Sequence, residues 1–318
     1  MAAGGEFSGG APIREDETST SKYWGNEKDF MIPQPRLRHQ DVIFTLFAMY
    51  ARPPHSVLPV GALITLMGDL GFESQGVRSA VSRLKRKGIL VSVRHGDHAA
   101  YSLDPSMANI MRDGDERIFS ETRPDSGGKW VLATFSVPES QRSLRHQIRS
   151  ALRRLGYGQA GQGLWIAPAA NLHEAQISLE RQELSQYVEF FIGNYAGHSD
   201  LSVKIGQWWD LEALNASFDE FLELYSGLSG RWREACDSVE RPTPLREREA
   251  FQIYAPMLTV WRRMPYMVPP LPADAVPEDW NGPRVRAIFH ESHQLLSGLA
   301  ERYVEDTLVG YEPSTRTE

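Results

Sequence analysis

The sequence predicts an α+β protein in three folded parts, and three observations predict it. Residues 34–111 hold two apolar helical runs, a basic helical run and a short alternating hairpin. Residues 129–205 alternate strand and helix patterns in the order βαββαβ, which suggests a small ferredoxin-like sandwich. Residues 206–318 are mainly helical in their periodicity. Residues 1–33, rich in Gly, Ala, Ser and Thr, are expected to be a disordered tail in which Tyr23, Trp24 and Phe30 can dock locally. Residues 112–128 are expected to be a charged, glycine-containing linker.

The first part opens with Leu37, Ile43, Phe44, Leu46, Phe47 and Tyr50, which supply a first helix and its core face. Val60 to Leu70 makes a second, apolar helix closed by Gly71. The decisive run is Ser74 to Gly88. At 100° per residue, Val77, Ala80, Val81 and Leu84 share one face. Gln75, Ser79, Ser82 and Arg86 lie opposite, with Arg78 and Arg83 flanking them. Ser74 is expected to cap the helix N-terminus with its hydroxyl. Gly88, after Lys85, Arg86 and Lys87, is expected to end it in the left-handed conformation. Ile89 to Val93 reads as a strand, Arg94-His95-Gly96-Asp97-His98 as a turn, and Ala99 to Leu103 as the returning strand.

Helix, turn, helix and wing in this order are the pattern of a winged helix-turn-helix. An apolar stripe anchors such a helix, while short polar side chains and guanidinium groups on its other face can enter a major groove and hydrogen-bond base edges. The expected DNA contacts are Ser74, Gln75, Arg78, Ser79, Ser82, Arg83 and Arg86 on the helix, with Arg94, His95 and His98 on the wing. Two such heads related by a dyad would read an inverted repeat in double-stranded DNA.

Charge supports that partner once it is divided by segment. The chain of 318 residues carries a net charge of −7. Residues 36–98 hold nine Lys/Arg against four Asp/Glu, so this segment is +5 and the remainder −12. Phosphate attraction acts over about 10 Å at 0.1 M salt, so the local charge outweighs the distant one. Hydrophobic residues make up 41% and charged residues 24%, enough apolar material for real cores. The longest apolar run, Val42 to Ala51, is about half of the ~20 residues a membrane span needs, so no membrane association is expected. No secretory signal is visible, and the single cysteine, Cys236, fits a reducing cytoplasm and a place in a core.

In the middle part, Lys129 to Val137 is a strand stopped by Pro138, and Ser140 to Leu155 an amphipathic helix ended by Gly156. A short strand at Tyr157, a strand from Leu164 to Ala167, a helix from Asn171 to Glu183 and a strand from Tyr187 to Ile192 follow. In the last part, Leu211 to Tyr225 and Arg246 to Arg263 are helical blocks. A proline-rich excursion leads to a final helix from Arg284 to about Thr307, expected to pack internally or between subunits. Its His290-Glu291-Ser292-His293 lacks the spacing of a zinc protease and reads as a solvated face, so no metal site is expected. No P-loop, dinucleotide fingerprint or GxSxG elbow is present, so no catalytic residue and no cofactor is assigned.

The chain resembles the PaaX family of bacterial repressors over residues 36–310. The resemblance is carried by Asp41-Val42-Ile43-Phe44-Thr45-Leu46-Phe47 and by Val77 to Leu84 in the first part. It continues in Phe135-Ser136-Val137-Pro138-Glu139, Leu144-Arg145, Gly156-Tyr157-Gly158 and Gly163 to Pro168. Trp261-Arg262-Arg263-Met264-Pro265, Leu271-Pro272 and Pro277 to Gly282 complete the series in family order. The resemblance implies a homodimeric, cytoplasmic repressor of an aromatic-catabolism operon, released from its operator by an aromatic acyl-CoA such as phenylacetyl-CoA. One departure is Val268-Pro269-Pro270-Leu271-Pro272, where an Asp-Pro is expected ahead of Leu-Pro.

Arg142, Arg145, Arg149 and Arg153 line one stripe of the middle helix; a solvated face or a clamp for phosphates both fit such a stripe. Trp165, Trp208, Trp209, Trp261 and Trp280 are candidates to line an aromatic pocket. The effector site is therefore expected among Arg142, Arg145, Arg149, Trp165, Trp208, Trp261, Arg262 and Arg263. Two alternatives are an acyl-CoA-binding, thioesterase-like enzyme that keeps a DNA-binding head, and a nuclease, since the middle unit also resembles the Cas2-like fold. The nuclease reading lacks an aspartate at Thr134-Phe135-Ser136, where a metal ligand is expected.

Overall fold

Apolar side chains at helical spacing build the first layer, and the same layer turns out to serve both ends of the chain. The computed structural model describes residues 23–24, 32–33, 35, 37–52, 56–120, 127–238, 243–267, 271 and 276–311. Within the tail expected to be disordered, β1 (Tyr23–Trp24) and β2 (Ile32–Pro33) form a two-residue antiparallel ladder. Backbone pairing, Tyr23 opposite Pro33 and Trp24 opposite Ile32, is what orders those four residues; Phe30 lies outside the described residues.

Helix α1 (His39–Tyr50) buries Val42, Ile43, Leu46 and Phe47 completely. The short strand β3 (Leu58–Pro59) runs straight into α2 (Val60–Asp69), which turns Ala62, Leu63, Leu66 and Met67 inward. Helix α3 (Ser74–Arg86) packs on both. Strands β4 (Leu90–His95) and β5 (His98–Leu103) form the hairpin, and β3 pairs with the free edge of β5. The turn is shorter than the sequence suggests. Arg94 and His95 belong to β4 and His98 to β5, leaving Gly96 and Asp97 as the turn itself.

The expected linker over 112–128 is corrected by α4 (Met107–Phe119). Met111, Gly114 and Ile118 recur at helical spacing and are buried, so the chain stays helical through Phe119. Arg117 fixes this helix to two other regions: its Nε donates to the Pro265 carbonyl at 2.9 Å, and its guanidinium pairs with Glu174.

In the middle region β6 (Trp130–Phe135), α5 (Arg142–Arg154), β7 (Gly158–Gly161), β8 (Leu164–Pro168), α6 (Leu172–Arg181) and β9 (Val188–Gly193) follow one another. The four strands are antiparallel in the order β7-β8-β6-β9. Side-chain alternation divides the sheet's two faces. Val131 and Ala133 face Ile148, Leu152 and Leu179 of α5 and α6, while Trp130 and Ile166 face Ile205 and Trp209 at the end of α7 (Leu201–Trp208). The edge strand β9 leaves Phe191 and Ile192 more than half exposed, at 59% and 55%.

The remaining helices are α8 (Leu211–Tyr225), α9 (Leu228–Ser238), α10 (Thr243–Trp261), α11 (Met264–Met267) and α12 (Gly282–Val309). Helices α7 and α9 escape the sequence reading, because their apolar stripes are interrupted by Gly, Ser and charged residues. Helix α12 lies along α10 and is an internal packing element. Its Phe289 and Leu296 share one continuous core with Phe251, Leu258 and Trp261 of α10 and with Leu46, Phe47, Leu66 and Leu84 of the first region. The middle sheet has a core of its own. Polar ties reinforce the shared core: Arg248 pairs with Asp69 at 2.6 Å, Gln252 donates to the Asp69 carbonyl at 2.8 Å, and Arg263 pairs with Asp41.

Candidate nucleic-acid interface

Helix α3 presents its two faces as its sequence dictates. Val77, Ala80, Val81 and Leu84 are buried, and Gln75, Arg78, Ser79, Ser82 and Arg86 are exposed. Arg83 is half-buried, with its Nε shielded and unbonded. Ser74 does not cap the helix. It is the first helical residue, Glu73 occupies the cap position, and no side-chain cap bond forms. The hydroxyl of Ser74 is exposed and available on the same rim as Gln75. Gly88 takes φ 67°, as a left-handed helix end requires, with nothing within 4 Å of where a Cβ would stand.

Two contacts hold the helix against its neighbours. The Lys85 ammonium stands 5.6 Å from the centroid of the Tyr101 ring on β5, and Lys87 Nζ donates to Gln40 Oε1 on α1 at 2.9 Å. In the hairpin His95 pairs with His98 across Gly96, whose φ of 58° fits the first central position of a type II′ turn. Arg94 and His98 are exposed and His95 is half-buried. Among the described residues Arg78, Arg86 and Arg94 engage in no ion pair, whereas the nearby carboxylates Asp41, Asp69 and Asp115 are held by Arg263, Arg248 and Arg52. Guanidinium groups left free on an exposed helix and hairpin are suited to phosphate and base-edge contacts, and the exposed Glu73 and Asp97 share that surface with them.

The expected effector residues are not gathered into one site. Trp165 is buried in the middle sheet's core with the Arg153 guanidinium 5.6 Å from its ring centroid, and Trp208 sits beside Trp130, Trp209 and Tyr195. Trp261 is inside the shared core, stacked on Phe289 at 4.4 Å and donating from Nε1 to the Ile118 carbonyl at 2.9 Å. Arg142 is exposed; Arg145 holds Glu139 and the Val137 carbonyl, both at 2.9 Å; Arg149 lies 6.0 Å from the Phe135 ring centroid. Arg262 is buried against the Phe44 ring, and Arg263 pairs with Asp41. The three tryptophans thus belong to three different clusters.

A polar group that the sequence reading missed lies in the shared core. Tyr254 Oη is 2.6 Å from His293 Nδ1, and Tyr50, Tyr225, His290 and Ser292 are further polar side chains in this core. The motif His290-Glu291-Ser292-His293 is therefore not a solvated face: His290 and Ser292 are buried, His293 is half-buried, and only Glu291 is exposed. Burial, then the charge of His290, pushes the His293 imidazole below its ordinary value. The signal is present as polar residues at core spacing on α12, but two histidines flanking Glu291 and Ser292 read as a solvated helix face. Among the described residues no group of three or more His, Cys, Asp or Glu is placed to hold a metal ion. Nor is any described helix long and apolar enough to cross a membrane.

These features define a mixed helix-and-sheet protein whose basic helix-and-hairpin head is packed on a C-terminal helical layer beside a separate sheet unit. Comparison with known proteins gives its family. Residues 38–106 match the PaaX-like protein family, residues 123–204 the PaaX protein central Cas2-like domain, and residues 209–306 the PaaX-like protein C-terminal domain. The chain belongs to the PaaX family. It is 26% identical over 261 residues to the transcriptional repressor PaaX of Escherichia coli strain K12, covering 80% of each chain. In structure it is similar to the uncharacterized protein Rv0674 of Mycobacterium tuberculosis, with a TM-score of 0.51 at 21% identity, over 85% of this chain and 98% of that one.

Proposed function

We propose that this protein is a cytoplasmic, sequence-specific transcriptional repressor, with residues 34–111 as a winged helix-turn-helix and residues 129–205 as a ferredoxin-like dimerisation unit. The observation that carries the reading is the exposed face of α3, where Gln75, Arg78, Ser79, Ser82 and Arg86 stand clear of the protein on a helix anchored by four buried apolar residues. Arg78 and Arg86, with Arg83 beside them, reach base edges and backbone in the major groove, while Arg94 and His98 meet phosphate from the wing. The relative in Escherichia coli is named as a transcriptional repressor, which favours regulation over catalysis.

A homodimer presents two heads to an inverted repeat, and an aromatic acyl-CoA such as phenylacetyl-CoA releases it, relieving an aromatic-compound catabolic operon. Binding of DNA and effector then weaken each other by the same factor. A mobility-shift titration of the purified protein on the promoters next to its own gene tests both steps. Expected is a retarded band that disappears as phenylacetyl-CoA is added. Operator affinity that no aromatic thioester alters rejects release by acyl-CoA, and the absence of any preferred sequence rejects the repressor reading.

A further inference from the structure

The hairpin of the head outreaches its sheet. Among the described residues β3 meets β5 at Tyr101 and Ala100. Beyond that point β4 and β5 run on as a pair, with Arg94 opposite Ala99 and His95 opposite His98. Two strands alone hold their direction poorly in water, because a single ladder has no third strand to brace it. Yet this tip carries Arg94 and His98, both exposed, which meet phosphate on the reading above.

A residue from the far end of the chain meets the tip. Tyr311, just past the end of α12, has its ring 5.8 Å from that of His98 at an interplanar angle of 77°, an edge-to-face pair. Its seat is α2. Tyr311 Oη lies 3.4 Å from Thr65 Oγ1, and Gly61 stands against the ring: a Cβ there would come within 2.9 Å of Tyr311 Cζ and nearer still to Cε1. Gly61 is helical and has no positive φ, so its missing side chain, not backbone freedom, is what the position uses. At the other end of α2, Tyr303 of α12 donates to Asp69, which Arg248 of α10 also holds. The end of α12 therefore runs antiparallel to α2, and the Tyr311 N–H closes a turn onto the Leu308 carbonyl at 2.8 Å. His98 stays exposed with the ring contact in place, so Tyr311 orients the imidazole without covering it.

We propose that Tyr311 is a positioning residue for DNA binding: seated on Gly61 of α2, its ring holds the hairpin tip in one orientation, so that Arg94 and His98 reach the duplex backbone beside α3. The assignment rests on the functional reading above for its partner, whereas the bracing of the tip by the ring does not depend on that reading. Tyr311 touches no nucleic acid itself and acts through His98.

The test separates the ring from its seat. In the full-length protein Tyr311→Ala removes the ring, Gly61→Ala fills the seat, and Tyr311→Phe keeps the ring while dropping the hydroxyl. Each is followed by segment-resolved hydrogen exchange without DNA, and by binding to the promoter next to its own gene across a salt series. Expected for Tyr311→Ala and Gly61→Ala are faster exchange over residues 94–99 and binding weakened roughly five- to tenfold. The slope of log K against log salt becomes shallower by about 1, and base preference is unchanged. Tyr311→Phe should behave as wild type. Alanine suits a helix better than glycine, so weaker binding by Gly61→Ala is not the mark of a loosened α2. Unaltered exchange over 94–99 in both ring-displacing variants overturns the role. So does weaker binding with an unchanged salt slope or a changed base preference, and so does Tyr311→Phe failing as Tyr311→Ala does. A wild type that prefers no DNA sequence sinks the repressor reading alone; exchange over 94–99 then still decides whether Tyr311 braces the tip.

Discussion

The head and the middle sheet unit solve the same problem differently. The sheet unit is self-sufficient: Val131, Ala133, Ile148, Leu152, Trp165 and Leu179 close a core from one stretch of chain. The head is not. Its Leu46, Phe47, Leu66 and Leu84 are completed by Phe251, Leu258, Trp261 and Phe289, which lie far along the chain. The three short strands of the head cover too little of its apolar helix faces, and the C-terminal helices complete that burial. The consequence is mechanical: α10 and α12 share a core with the surface that carries Arg78 and Arg86, whereas the sheet unit meets the C-terminal helices at polar ties such as Arg117, which joins Pro265 to Glu174.

Substitutions at the two tryptophans break or sharpen this contrast most strongly. Trp261→Ala is expected to cost about 3–5 kcal/mol and to loosen the head and the C-terminal helices together. Trp165→Ala removes a comparable buried ring but is expected to loosen the sheet unit selectively. Hydrogen exchange resolved by segment checks both, and equal loss of protection in the head from Trp165→Ala would refute separate cores. Next in size is the surface of α3. Arg78→Ala and Arg86→Ala are each expected to lower operator binding by about 1–3 kcal/mol in a gel-shift titration, with unchanged melting temperature.

Gly88→Ala should cost about 1–2 kcal/mol by urea denaturation, all of it from the left-handed backbone, since no neighbour stands near the new methyl group. A smaller, pH-dependent effect is expected at His293. Its folded-state value lies below the unfolded value of about 6.5, so the folded form resists the proton that the unfolded form accepts. Stability should be level above about pH 7.5 and decline as pH falls through 6.5 until the folded imidazole also titrates. His293→Gln should flatten that part of the profile; an unchanged slope would assign it to another group. Smallest of all, Phe191→Ser on the exposed edge strand should alter monomer stability by no more than about 0.5 kcal/mol.

Much of α3 was legible because a local rule governs it. A 3.6-residue period assigns Val77, Ala80, Val81 and Leu84 to one side and the polar residues to the other, whatever the rest of the chain does. The alternation of β6 and the glycine at 88 were readable for similar reasons. Ser74 takes the first helical position instead of the cap, and the two differ by one residue and by backbone angle alone. The helix through Phe119 was hidden because its charged residues resemble a linker until Met111 and Ile118 find apolar neighbours. Residue type alone points to the expected effector residues, and type says nothing about which core a tryptophan joins.

By itself, then, the order of residues determined the local elements, the two-faced basic helix and the family motifs, since each depends on contacts a few residues apart. Only the tertiary structure decided that the first and last regions share a core and that Tyr50, Tyr225 and Ser292 are left without partners within it. Those outcomes depend on packing between segments distant in sequence, where burial and hydrogen-bond satisfaction are properties of the assembled chain rather than of any one stretch.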